Sequence, residues 1–76
     1  MNKVRRKALA EIQEQIDVLR EQLETLKNEE EEYRDNMPEN LQGSERYEAA
    51  ENAISNMEDA VTSLEEVISS LDAAIE

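Results

Sequence analysis

The sequence predicts an all-α protein: an antiparallel two-helix coiled-coil hairpin that pairs with a second copy into a four-helix bundle. Three observations carry this reading. Apolar residues recur at alternating steps of three and four along two long runs. The only proline and the only glycine, Pro38 and Gly43, lie close together near the midpoint, where two helix breakers divide the chain into two uninterrupted segments. The polar rows flanking the two runs are complementary in charge when the segments are laid antiparallel.

The first helix is expected over residues 3–36. Its apolar series is Leu9, Ile12, Ile16, Leu19, Leu23 and Leu26, then Tyr33 and Met37, with one polar interruption at Glu30. With Leu9 as heptad position a and Ile12 as d, this is a coiled-coil seam. The turn is expected over 37–43, because Pro38 disfavours helical geometry at Met37. Leu41, its one apolar residue after Pro38, is expected to cover the end of the seam. Ser44 suits the N-cap of a second helix over 44–75, with Glu45 and Glu48 favourable in its first turn. That helix runs Tyr47, Ala50, Ile54, Met57, Val61, Leu64, Ile68, Leu71 and Ile75 without a miss.

Flanking residues specify how the helices meet. Gln13, Arg20, Lys27 and Arg34 occupy the e row of helix 1, and Glu51, Glu58, Glu65 and Asp72 that of helix 2. In an antiparallel pair e faces e, so Arg20 is expected near Glu65, Lys27 near Glu58 and Arg34 near Glu51. The corresponding layers are Ile12 with Ile75, Leu19 with Ile68, Leu26 with Val61 and Tyr33 with Ile54; a one-heptad slip is the alternative. The same pairing is expected to bring Lys3, Arg5, Arg6 and Lys7 beside Asp72 and Glu76, each cluster offsetting the other's unfavourable place on the helix dipole.

Composition narrows the function classes. The 76 residues contain no Cys, His, Phe or Trp. Disulfides and thiolate metal sites are therefore excluded, and no cofactor is implied. No apolar run approaches the ~20 residues that cross a bilayer, and the basic start lacks an apolar signal core; we read the chain as soluble and cytoplasmic. Twenty acids against eight bases give a net charge of −12, and from Glu11 onward only four bases remain. Such a chain is repelled by nucleic acids and anionic membranes. It suits a protein partner with a basic surface.

No catalytic constellation is visible. The serines have no neighbouring base, and acid–base work by paired carboxylates needs a closed cleft that a hairpin does not offer. The run Glu29, Glu30, Glu31, Glu32 and nearby Asp35 diverges around a straight helix, unlike the sharply turning oxygen-ligand loop of a calcium site, and reads as a solvated charge run.

Two surfaces stand out instead. The outer face of helix 1 carries Glu11, Glu14, Asp17, Glu21, Glu24, Glu31, Glu32 and Asp35 with no base among them. From Glu14 to Asp35 this is about one charge per 5 Å, against one per ~1.7 Å of duplex DNA, so a nucleic-acid mimic would need several such ridges. The second surface is Ala53, Ala60, Val67 and Ala74 at position g of helix 2. It widens the apolar stripe beyond what one partner helix covers and points to a homodimer.

The opening MNKVRRKALAEI and the junction EEEEYRDNMPENLQGSERY, within a chain that continues to Ile75, resemble small acidic helical proteins of unassigned function encoded by phages and prophages of Gram-positive bacteria. The resemblance implies a mobile-element origin and brings no established activity with it; small acidic phage proteins often inhibit host nucleic-acid-handling or defence enzymes, and that context favours an inhibitor reading by association alone. Two functions are expected from the whole sequence: a hairpin that docks its acidic surface on a basic protein, or a self-assembling accessory coiled coil with no host target.

Overall fold

The computed structural model describes residues 1–76. Two α-helices, α1 (Lys3–Asp35) and α2 (Glu45–Ile75), are joined by a segment containing the single 3-10 turn Glu39–Leu41. The helices pack antiparallel into a rod 60 × 14 × 12 Å, with a radius of gyration of 17.4 Å. A compact chain of this length would have a radius near ~11 Å, so the molecule is far from spherical.

Each helix starts where a side chain can accept an orphan backbone N–H. The Asn2 side chain accepts from the Arg5 N–H at 2.8 Å, and the Ser44 hydroxyl accepts from the Tyr47 N–H at 3.3 Å. Ser44 is thus a cap outside α2, and α1 stops at Asp35 with Asn36 as its C-cap, one residue inside each expected boundary. Between them, Leu41 N–H donates to the Pro38 carbonyl at 2.9 Å and Ser44 N–H to the Leu41 carbonyl at 3.1 Å. Gly43 then reverses the chain at φ 88°, a left-handed conformation that costs a side chain ~1–2 kcal/mol.

Three observations set the register. Gln13 donates from its amide to the Ile68 carbonyl at 3.0 Å and also to the Asp72 carboxylate. Lys27, Glu58 and Val61 line one surface groove. Arg34 lies close enough to feel the charge of Glu51. Extended along both helices, this register levels Ile12 with Ile75 and Tyr33 with Ile54.

The register also corrects an expectation. Leu9 is still half-buried at the end of the seam, so with Ile75 near the level of Ile12 it is residues 3–8 that run past the end of α2, by roughly 9 Å. Lys3, Arg5, Arg6 and Lys7 lie in this overhang. They form no ion pair within 4.0 Å and do not meet Asp72 or Glu76.

Only four of the 76 residues are buried: Met37, Ala50, Ile54 and Val61. All lie between the turn and the middle of α2. Met37, not Leu41, closes the seam at the turn; Leu41 stays exposed because the 3-10 turn carries it outward. A two-helix pair has one layer of contact and so cannot enclose much more.

Candidate interaction surface

The acidic ridge of α1 is less bare than its sequence. Arg20 sits between Asp17 and Glu24 on its own helix. Its guanidinium lies 3.0 Å from Asp17, 3.2 Å from Glu24 and 3.9 Å from Glu21, and its Nε donates to Asp17 at 3.0 Å. Lys27 Nζ lies 3.4 Å from Glu31, and Arg34 Nε donates to Asp35 at 3.0 Å. The hydrogen bond to Asp17 is the main cause that holds the Arg20 guanidinium above its ordinary pKa, and that to Asp35 does the same for Arg34. With a raised pKa, each cation's contribution is complete at every pH below its ordinary value and fades only in strong alkali.

These contacts take the place of cross-helix ion pairs: Lys27 and Glu58 line one groove and Arg34 feels the charge of Glu51, as the e rows lead one to expect, but the rows face each other without pairing. No ion pair within 4.0 Å joins Arg20 to Glu65, Lys27 to Glu58 or Arg34 to Glu51. The reason is local competition. A side chain on a helix reaches acids three or four residues away without crossing the groove, and Arg20 finds two such acids where α2 offers one. Neutral Gln13, the remaining member of the row, is the side chain that does cross.

The structure therefore redistributes the uncompensated charge. Of the eight ridge acids, Asp17, Glu21, Glu24, Glu31 and Asp35 each have a cation within 4.0 Å, and Glu11, Glu14 and Glu32 have none. No acid of α2 is in an ion pair either; Glu58, Asp59, Glu65, Glu66 and Asp72 are all exposed. The signal for this second acidic face was present in the sequence, because no base follows Arg46.

A different surface is exposed on the other side of the seam. α1 turns its a and e rows toward α2, so that Arg20, Lys27 and Arg34 are largely covered. Its d row is left half in water: Ile12, Leu19, Leu26 and Tyr33 are 47, 56, 56 and 46% exposed. On the same side α2 presents the predicted small residues, with Ala60, Val67 and Ala74 exposed and Ala53 half-buried. A groove lined by Leu26, Glu29, Glu30, Tyr33 and Met57 opens there.

No group of three acids is placed to hold a metal ion, and no helix is long and apolar enough to cross a membrane. No protein-family profile, curated protein or solved structure matches the chain.

Proposed function

We propose that this chain is a non-enzymatic, protein-binding helical hairpin of mobile-element origin. It docks its acidic surface on a basic protein surface inside a bacterial host, where it would occupy the nucleic-acid groove of a host or defence enzyme. The observation that supports this reading is the uncompensated charge: Glu11, Glu14 and Glu32 on α1, and the whole acidic face of α2, have no cation within 4.0 Å. Two acidic faces on one rod also approach the charge density of a nucleic-acid edge better than one ridge does.

Capture of partners from host lysate at low and high salt tests it, because contacts between exposed charges weaken as the Debye length shrinks. Salt-sensitive capture that a DNA duplex competes away is the expected result. Capture that survives high salt, or none at all, counts against docking by charge. Reversing Glu11, Glu14 and Glu32 to Lys should weaken capture more than reversing Asp17, Glu24 and Asp35, whose charge the hairpin already offsets.

A second reading, self-assembly into an accessory coiled-coil oligomer, rests on a separate observation. The exposed row Ile12, Leu19, Leu26 and Tyr33 is continuous with the small residues of α2, and a contiguous apolar face of this kind marks an association surface.

A further inference from the structure

Building on the self-association reading, we propose that the apolar face is covered by a second copy of this chain in one particular arrangement. In it, α1 packs antiparallel on α1 of its partner about a two-fold axis through Leu19, and the basic overhang of each copy lies against Glu29 and Tyr33 of the other.

Exposed area calls for such a partner. A folded chain of 8.7 kDa exposes about 4,700 Å² by the general scaling of surface with mass. This one exposes 5712 Å², an excess of about 1,000 Å². One side of a stable protein interface covers about 800 Å², so a single partner copy removes the excess.

Residue spacing places the axis. With Leu19 on it, Ile12 meets Leu26 of the partner, and α1 (Lys3–Asp35) overlaps its copy over its full length, since residue 19 is its midpoint. The small row of α2 obeys the same axis independently. Val67 is within one residue of the level of Leu19, so Val67 meets its own copy and Ala60 meets Ala74 of the partner. Large residues then pack on large across α1 and small on small across α2. That tilts the bundle without opening a void, because small residues let helices approach closely.

Charge selects the same arrangement. The d and g rows of α1 hold only two charges, Arg5 and Glu29, near opposite ends of the helix. Antiparallel overlap centred on residue 19 brings Arg5 level with the partner's Tyr33 and one helical turn from the partner's Glu29. The guanidinium then has a carboxylate and an aromatic face to bind. The competing arrangement turns one hairpin about the long axis and lays α1 on the partner's α2. It leaves both overhangs uncovered and gives Glu29 no cation, because α2 has no base after Arg46.

Two single-cysteine variants, Ile12→Cys and Leu26→Cys, test the arrangement, with sedimentation of the unmodified chain alongside. Both sites are half-exposed in the hairpin, so both variants fold. They lie about 21 Å apart along the helix, beyond the reach of any disulfide. Mixed and oxidised at high dilution, they should form the Ile12→Cys/Leu26→Cys heterodimer as the dominant species. In a second measurement, Arg5→Glu should raise the dimer dissociation constant about tenfold or more, and Glu29→Lys in the same chain should restore it. A dimeric mass without the mixed disulfide overturns this arrangement and leaves self-association standing. A monomeric mass across a wide concentration range overturns both.

Discussion

Replacing Ile54 or Leu26 by Ala removes three carbon atoms in either case, yet the structure assigns the two changes different costs. Ile54 is 4% exposed and Leu26 56% exposed. At ~0.8 kcal/mol per buried methylene, Ile54→Ala loses about 2.4 kcal/mol of transfer free energy. A small cavity term adds to it, limited because half-exposed Tyr33 at the same level can lean in, for a total of about 2.5–3 kcal/mol. Leu26 already keeps half its surface in water and leaves no enclosed void, so Leu26→Ala costs the lone hairpin only about 1 kcal/mol. A hairpin with a one-layer core holds ~3–5 kcal/mol in all, so the first variant is close to unfolded and the second is not. Urea unfolding followed by helical circular dichroism, at protein concentrations a hundredfold apart, reads both numbers. In the dilute sample Ile54→Ala should cost at least twice what Leu26→Ala costs. In the concentrated sample the Leu26→Ala cost should rise, because a partner then covers that position. A dilute-sample cost for Leu26→Ala equal to or above that for Ile54→Ala would refute the assignment of the buried face.

Three smaller changes probe the ends and the turn. Gly43→Ala should destabilise by about 1–2 kcal/mol through backbone strain alone, since a Cβ built there meets nothing within 4 Å; denaturant midpoints measure it, and no change would mean the positive φ is not required. Ser44→Ala should cost about 0.5–1 kcal/mol by loss of the α2 cap, seen in the same unfolding curves. Asn2→Ala removes a shorter cap bond, 2.8 Å, yet should leave global stability within ~0.5 kcal/mol while lowering helical ellipticity, because the overhang it caps packs on nothing within one chain.

The elements legible in the sequence are those set by period and by breakers. Alternating steps of three and four predict both helices, and Pro38, Gly43 and Ser44 predict the turn to within a residue, because each has a backbone reason for its place. The register is legible from the e rows, although the rows fulfil it without the ion pairs that suggest it: charges choose a level by their long-range sum, whereas a guanidinium chooses its hydrogen-bond partner by reach. That choice depends on rotamers, and rotamers are not written in a heptad pattern. The overhang is a consequence of the register, but the opposite charges at the open end conceal it until the residues before Leu9 are counted. Least legible is the rotation of α1 about its axis. Positions a and d are equivalent in a heptad scheme, and only packing decides that a and e turn inward while Ile12, Leu19, Leu26 and Tyr33 remain outside.

The crowding of Met37, Ala50, Ile54 and Val61 toward the turn has a consequence for the order in which the chain folds. Contacts there join residues separated by only a short stretch of chain, while those at the open end join residues some sixty apart and must close a far longer loop. The strongest contacts are thus also the most local. The hairpin is built to start at Pro38–Ser44 and close progressively toward its free ends, and to fray in the reverse direction. A chain emerging from the ribosome has α1 complete before α2 exists. The open d row of Ile12, Leu19 and Leu26 is then the face that a nascent chain, or a second one being made beside it, shows to the cell first.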